Sequence, residues 1–393
     1  MKTRWFYILV LYVVSCGFVS AQTLADSIRV QLLVMSPGEA VYSAMGHAAL
    51  RLQSPQHEMD YCFTYGMDMR PQSRWRFISG QAPAGYLVAP TREYMKDYMS
   101  EGRGVTAYEL NLTLDEKRRL WRYLDEHVAR GLADSYDYLH HGCALVCQQA
   151  VHSVIWKSVL RYDSLPEGLA QATQRDRVRR CLTEAPWTDL FWTLIVGTEA
   201  DAPCQTEQKL VIPADLLYAW QHTTLTDSMG IERPLIVGSP EMLCATSYQP
   251  QSSPITPARL IFVLLLMAIL VTFGEWRWGW TLVPCILDIL LLTIQSLLGA
   301  LQTYLLCCSS LVSTSWNWLI LPYNLLPLMA LLFMRHRLKP LLWAAYSVDI
   351  LMVAFCLASP WIPNATWPHL LLVATFLIRL NSHIYILYSS KTN

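Results

Sequence analysis

The sequence predicts an exported α+β domain followed by an all-α membrane domain. Charged side chains make up only 15% of the 393 residues, whereas soluble globular proteins carry about 25%. After the first 21 residues, the long apolar runs all follow residue 257, and the earlier segments show strand-like alternation or helical periodicity. The membrane-spanning part is therefore confined to the C-terminal third of the chain.

The first 21 residues have the composition of a secretory signal peptide. Two basic residues open the segment, residues 5–15 are almost wholly apolar, and small side chains occupy positions 19–21. We expect cleavage after Ala21; a lipoprotein-type cleavage at Cys16 and an uncleaved anchor are the alternatives. In each case residues 22–248 are exported.

Three strands are expected at the start of the exported domain. Residues 27–35 form an apolar run, HAALRLQ alternates from His47 onward, and DYCFTYGMD at 60–68 follows a polar loop. A histidine that starts a strand beside a glycine suits a general base at the edge of a sheet. An ordinary hydrogen-bonded histidine fits the same pattern, so both interpretations of His47 stay open here.

Helices are predicted at 91–99 and 113–130, and the second has its own start signal. Thr113 and Glu116 have the spacing of a capping box. A further helix is predicted from residue 143, because apolar side chains then recur at three- and four-residue steps.

The stretch YDYLHHGCALVC places Cys143 at the start of that last helix. Unpaired backbone N–H groups and the positive end of the helix dipole would face its sulfur, which favours the thiolate. Gly142 permits a sharp turn, and Cys147 follows one helical turn later. Cys143 is therefore the candidate nucleophile; the alternative is that both thiols are ordinary core residues.

The exported part offers no metal-binding pattern. Of its six cysteines, only Cys143 and Cys147 are close together, and no second pair matches them. We therefore expect no metal and no other cofactor. Export permits disulfides, and a bridge between Cys181 and Cys204 is one option. The formal net charge is zero, which gives no indication of nucleic acid as a partner.

A polar linker at 249–257 leads to a membrane domain at 258–393. Arg335, Arg337 and Lys339 fall in an inward loop of this domain, and the outward loops contain no Lys or Arg, which agrees with the positive-inside rule. About five spans are predicted from apolar segments near the ~20 residues that cross the hydrocarbon: 258–273, 281–303, 317–334, 340–358 and 368–388.

Three charged residues fall inside these spans, where charge is costly and usually faces a partner. We expect Arg379 to pair with Asp288 or Asp349. Asn317 and Asn324, which lie among prolines, indicate an interrupted helix near the periplasmic face, where a lipid headgroup can be received.

The chain order of the two candidate residues is informative about the fold. A papain-type fold has its cysteine helix first and its histidine strand later, so His47 before Cys143 indicates a circularly permuted version. The motifs GHAALRL, DYCFTYG, LNLTLDEKRRL, YDYLHHGCALVC and NWLILPYNLLPL resemble the Lnb family, the lipoprotein N-acyltransferases of Bacteroidetes-type bacteria. The resemblance implies that the permuted papain-like domain is of the NlpC/LRAT-like type.

This resemblance implies a thiol-dependent acyltransferase in the inner membrane with its catalytic domain in the periplasm. Cys143 would attack a phospholipid ester, with His47 as the base, to give a thioester. The acyl chain would then pass to the α-amine of a diacylated lipoprotein. Phospholipid donor, lipoprotein acceptor and membrane are the partners that it implies.

The residue that orients His47 departs from the family pattern. The strand position that many relatives fill with Asn is Thr64 here, and the Asp-Asn that often precedes the cysteine is His-Gly. Thr64 is the first choice as the third catalytic residue, with Asp60 and Tyr65 as alternatives. Arg51 is either structural or a phosphate ligand. Two other functional classes stay open, a membrane-tethered cell-wall peptidase with the same dyad and a non-enzymatic scaffold.

Overall fold

The computed structural model describes residues 28–68, 70, 76–155, 157–248, 254–329, 339–358 and 366–392, with side chains up to residue 383. The predicted signal peptide, the start of the predicted linker, and Arg335 and Arg337 of the predicted inward loop lie outside these ranges. As predicted, an α+β part is followed by long apolar helices.

The exported part is built on an antiparallel sheet of seven strands. Their order is β10-β5-β1-β2-β3-β4-β6, and β7, β8 and β9 form a separate small sheet. The three strands predicted from sequence are confirmed as β1, β2 and β3. The strands are β1 (Arg29–Met35), β2 (His47–Ser54), β3 (Met59–Met67), β4 (Pro83–Pro90), β5 (Val105–Leu110), β6 (Asp134–Ser135), β7 (Val159–Tyr162), β8 (Thr223–Thr226), β9 (Glu232–Pro234) and β10 (Ile236–Cys244).

Helices α1 to α6 accompany the sheet in the described ranges of the exported part, and the predicted capping box is present. The backbone N–H of Thr113 donates to Glu116 Oε2 at 2.7 Å, and the N–H of Glu116 donates to Thr113 Oγ1 at 3.3 Å. This box starts the predicted helix, which is α2 here. The helices are α1 (Thr91–Ser100), α2 (Leu114–Ala129), α3 (Cys143–Val154), α4 (Gln174–Cys181), α5 (Pro186–Ile195) and α6 (Pro213–Gln221).

Strand alternation gives the sheet two apolar faces. On one face Leu32 belongs to a large core with α2, α3 and α6, which includes Trp220. On the other face Leu33 and Met35 pack against α1. Helix α3 is therefore held against the sheet by its apolar side chains, and its first residue lies beside the start of β2.

Long helices follow in the membrane part: α7 (Pro257–Trp278), α8 (Leu282–Cys308), α9 (Lys339–Ala358) and α10 (Trp367–Thr392). Among the described residues three helices are long and apolar enough to cross a membrane, namely Pro257–Trp278, Leu282–Cys308 and Pro340–Ala358. Arg379 pairs with Asp288 through contacts of 2.6 and 2.8 Å, as expected.

One predicted span differs from the structure. Instead of a continuous helix from residue 317, the chain forms a short 3-10 turn at Trp318–Ile320, and a helix begins only at residue 326. The side chain of Asn317 accepts from the backbone N–H of Leu319, and Pro322 removes a helical donor. The first half of that predicted span is therefore wrong as a helix, whereas the predicted interruption is confirmed.

The segment at residues 309–317, called the junction loop below, joins the membrane part to the exported part. The N–H of Gly197 donates to Ser313 O at 2.8 Å, and the amide of Asn317 donates to carbonyls at the end of α5 at 3.2 to 3.3 Å. A Cβ at Gly197 would lie 2.5 Å from Trp316 O. The two parts are therefore in close backbone contact.

Candidate active site

Cys143 is the first residue of α3, as predicted. Its N-cap is Gly142, whose φ of −86° is ordinary, so the glycine is not required for backbone conformation. The space around it is tight, because a Cβ there would lie 3.0 Å from Tyr138 O. The first intrahelical bond runs from Val146 N to Gly142 O, which leaves the N–H groups of the first turn directed past the N-terminus.

The turn before α3 is organised by Asp137, which sequence reasoning missed. Its Oδ1 accepts from the N–H of Leu139 at 2.9 Å, and its carbonyl accepts from His141 at 2.8 Å. Its Oδ2 accepts from the N–H of Ser313 in the junction loop at 3.3 Å. The carboxylate is buried. The contact with Leu139 could have been predicted, since an Asp side chain commonly accepts from the backbone two residues further on. Nothing in the sequence near Asp137 predicts its contact with the junction loop.

The surroundings of the Cys143 thiol favour its ionised form. Burial disfavours the thiolate, but the charge and hydrogen bond of His47, the N–H of Ala48 and the hydroxyl of Tyr136 outweigh it and lower the pKa of Cys143. Cys147 differs because burial and the neighbouring Cys143 raise its pKa well above the ordinary value. Of the two thiols, only Cys143 therefore has a pKa below the ordinary value.

His47 is held by Thr64, the first choice from sequence. The distance from His47 Nε2 to Thr64 Oγ1 is 2.6 Å, which leaves Nδ1 as the ring nitrogen available to the sulfur. Thr64 is itself bonded to Tyr94, whose hydroxyl lies 3.0 Å from that of Tyr98. A chain of hydroxyl groups therefore fixes the imidazole from the side away from Cys143.

The other predicted orienting residues do not reach His47. Asp60 pairs with Arg51 through contacts of 2.8 and 2.7 Å. Burial opposes ionisation of Asp60, yet the bonds from Arg51 and Thr91 lower its pKa. Arg51 is itself buried and also contacts Gln31. The pair is structural, so Asp60 as the orienting residue and Arg51 as a phosphate ligand are both wrong.

Tyr65 also has another role than the one proposed for it. Its ring packs edge-on against Tyr86 at 5.6 Å and stacks on Tyr136 at 5.9 Å. No hydrogen-bond partner of its hydroxyl exists among the described residues. Tyr65 as the residue that orients His47 is therefore wrong.

Two neighbouring cavities lie beside the pair of Cys143 and His47. A small one is lined by His47, Gly142 and Cys143. The larger one has a volume of about 380 Å³ and is lined by His47, Thr64 and a group of tyrosines. Both cavities share His47, Tyr136 and other lining residues, so they lie on either side of the histidine next to the sulfur.

The remaining cysteines of the exported part can be compared with the expected disulfide. Cys181 and Cys204 are both free thiols, so the disulfide considered between them is wrong. Within the described ranges no group of three or more His, Cys, Asp or Glu residues is placed to hold a metal ion. In α4, Arg175 and Arg177 are buried and form ion pairs with Asp201 and Asp215.

Fold and site together define a class: a membrane protein whose α+β domain brings a cysteine and a histidine together beside a junction with membrane helices. The model of the Lnb N-terminal periplasmic domain matches residues 17–163, and the model of the Lnb transmembrane domain matches residues 249–391. The chain belongs to the Lnb family, and its N-terminal part is periplasmic. No curated protein and no solved structure matches the chain significantly.

Proposed function

We propose that this protein is a lipoprotein N-acyltransferase of the inner membrane. Cys143 is the nucleophile, His47 is the base and Thr64 orients His47. A phospholipid is the acyl donor, and the α-amine of a diacylglyceryl-cysteine lipoprotein is the acceptor. The observation that carries the proposal is the ionisable Cys143–His47 pair at the start of a helix, directly beside the junction loop of a membrane domain.

In the first half-reaction His47 Nδ1 takes the proton of Cys143, and the thiolate attacks the ester carbonyl of the donor. The tetrahedral intermediate collapses, the lysophospholipid alkoxide leaves, and the imidazolium returns the proton to it. A thioester on Cys143 and a free lysophospholipid result. The bond from His47 Nε2 to Thr64 keeps Nδ1 directed at the sulfur in this cycle.

The intermediate carries a negative oxygen, and donors for it lie at the start of α3. The N–H groups of the first helical turn lack intrahelical acceptors, and the helix dipole favours an anion there. The hydroxyl of Tyr136 bonds to both the backbone and the side chain of Cys143. It is therefore a second candidate donor to the oxyanion.

In the second half-reaction the neutral α-amine of the lipoprotein attacks the thioester carbonyl. His47 takes a proton from the attacking nitrogen, and the C–S bond breaks. Cys143 leaves as a thiolate beside the protonated His47, which is the state that attacks the next donor. The product is an N-acylated lipoprotein. Water must be excluded during this step, and the buried thiol supports that requirement.

The contact between the catalytic turn and the membrane part favours lipid substrates over a cell-wall peptide. Ser313 is bonded to Asp137, only six residues before Cys143, and Ser310 N donates to Ser79 O at 3.0 Å. A peptidase needs no such contact, because its substrate lies away from the bilayer. Two lipid substrates, in contrast, require the thiol to stay at the membrane surface.

The first half-reaction is tested by incubating the full-length protein with phosphatidylethanolamine vesicles and measuring the intact mass. We expect one added acyl chain, localised to Cys143 and released by hydroxylamine. Cys143→Ala abolishes the adduct, whereas Cys147→Ala retains it. An unmodified Cys143 in the wild-type protein would contradict the proposal.

A further inference from the structure

Arg103 carries a buried hydrogen-bond donor that the fold leaves unused. The side chain is only 3% exposed. Its Nε donates to Ser36 O at 2.9 Å and its Nη1 to Glu101 at 3.2 Å. Nη2 has no partner in the part of the chain that the structure describes. The guanidinium is fixed further by the ring of Tyr98, 4.9 Å away.

A second buried donor without a partner in the described part of the chain belongs to Tyr65, which lines the same cavity. The hydroxyl of Tyr65 has no partner within the described ranges, although the residue is only 2% exposed. Arg103 and Tyr65 both line the 380 Å³ cavity that contains His47. A buried donor without a partner is destabilising, so two on residues that line one cavity indicate a ligand that supplies acceptor oxygens.

The charge of the cavity indicates an anionic ligand. Its described lining residues include Arg103 and His47 but no aspartate or glutamate. Glu101 contacts Arg103 from outside this lining and is partly exposed. Most of the other lining residues are tyrosines or apolar side chains, including Leu87 and Met67. The cavity is therefore shaped for an anionic group attached to an apolar body.

We infer that this cavity binds the phosphodiester of the acyl donor, with Arg103 Nη2 and the Tyr65 hydroxyl donating to its oxygens. The inference rests on the proposed function and names how its donor is recognised. A phospholipid carries its phosphate and its acyl esters on one three-carbon glycerol. Binding of the phosphate by a guanidinium and a hydroxyl therefore brings an ester carbonyl toward His47 and Cys143. Arg103 takes the role that the sequence suggested for Arg51.

The test uses a binding readout that needs no acyl transfer. The full-length protein is treated with iodoacetamide, and alkylation of Cys143 is followed by peptide mass spectrometry. Three probes are compared. The first is a diether phosphatidylethanolamine, which has the phosphodiester but no acyl ester; the second is a diether glycerol without phosphate, and the third is inorganic phosphate alone. We expect the diether phospholipid to protect Cys143 at a concentration about tenfold lower than the diether glycerol needs.

Two variants and one matched control locate the effect. Tyr65→Phe removes only an unpartnered hydroxyl, so the protein folds normally, and Arg103→Gln removes the charge. Both are expected to reduce the tenfold preference for the phosphate-bearing probe to about threefold or less. Arg177→Gln removes another buried arginine, which pairs with Asp215 away from the cavity, and should retain the full preference.

The outcomes separate this inference from the proposed function. Equal protection by the two diether lipids, or a preference that persists in both cavity variants, contradicts the phosphodiester site even if the acyl adduct forms. Protection by inorganic phosphate alone assigns the site to a free anion and overturns the lipid assignment. A preference for the phospholipid without any acyl adduct on Cys143 supports the site and contradicts acyl transfer.

Discussion

The backbone N–H of Ser313, in the junction loop of the membrane part, donates to the buried carboxylate of Asp137 at 3.3 Å. The same carboxylate shapes the turn that ends at Cys143 by accepting from Leu139 N at 2.9 Å. One side chain therefore links the position of the nucleophile to the membrane domain.

Asp137→Ala is expected to lower the rate of acyl-adduct formation by about 100-fold. The turn before Cys143 loses its hydrogen bonds to the carboxylate, and displacement of a reacting atom by ~1 Å lowers a rate by about this factor. Two buried N–H groups lose their acceptor as well, at a cost of about 1–3 kcal/mol each. Adduct formation and thermal unfolding measure the two effects. Asp97→Ala, at an exposed position of α1, is the control, and an unchanged rate in Asp137→Ala would refute the link.

Thr64→Val is expected to reduce the rate about 10- to 100-fold, because it removes one hydrogen bond to an imidazole that becomes charged, worth ~1.5–3 kcal/mol. Thr64→Ser restores most of the rate because the hydroxyl returns. Thr106→Val, in β5 of the same sheet, controls for strand stability. Equal rates for the Val and Ser variants would show that Thr64 does not orient His47.

The reactivity of Cys143 toward iodoacetamide is expected to persist below the ordinary thiol pKa of about 8.5. Its pKa is lowered, so the thiolate remains as the pH falls and disappears only when the pH passes below the lowered value. His47→Gln removes the main group that opposes the effect of burial, so the profile should move to higher pH. Alkylation of Cys244 in the same sample is the internal reference. Identical pH profiles of Cys143 in the wild type and in His47→Gln would contradict an interaction between Cys143 and His47.

Tyr136→Phe is expected to slow adduct formation about tenfold, since one hydrogen bond to the sulfur and to the developing oxyanion is lost. The pKa of Cys143 should rise in this variant, because the hydroxyl stabilises the thiolate. Tyr108→Phe in β5 is the matched control. A variant as fast as the wild type at every pH would exclude a role of this hydroxyl in the reaction.

Arg379→Leu is expected to destabilise the membrane domain by about 3–5 kcal/mol, because the buried carboxylate of Asp288 loses its arginine and keeps only His383 as a partner. The double variant Arg379→Leu/Asp288→Leu removes both charges and should recover much of the loss. Thermal unfolding of the purified protein in detergent measures the difference. A double variant less stable than the single one would contradict this account.

Local signals allowed much of the site to be predicted. Cys143 and His47 each stand at the start of an element, where a sequence pattern is informative. Thr64 followed from the family pattern. Arg51 was ambiguous because its partner is set by the register of β2 and β3, in which Arg51 lies opposite Cys62 and Gln53 lies opposite Asp60; a strand pattern does not fix that register.

Long-range contacts account for what could not be predicted. Arg103 enters the cavity from a loop far from Cys143 in sequence, and the bond from Ser313 to Asp137 spans 176 residues. The segment from residue 317 is apolar enough for a span, yet Asn317 donates to carbonyls of the other domain. Composition alone cannot reveal such contacts, because they depend on how the two domains meet.

The most direct test of the central claim is mass spectrometry of lipoprotein N-termini from cells that carry the wild-type protein, Cys143→Ala or His47→Ala. The account predicts N-acylated lipoproteins with the wild type and only diacylated ones with either variant, at equal protein levels. Unchanged N-termini in both variants would contradict lipoprotein N-acylation by this site, and cleavage of cell-wall peptides would then be the reaction to assay.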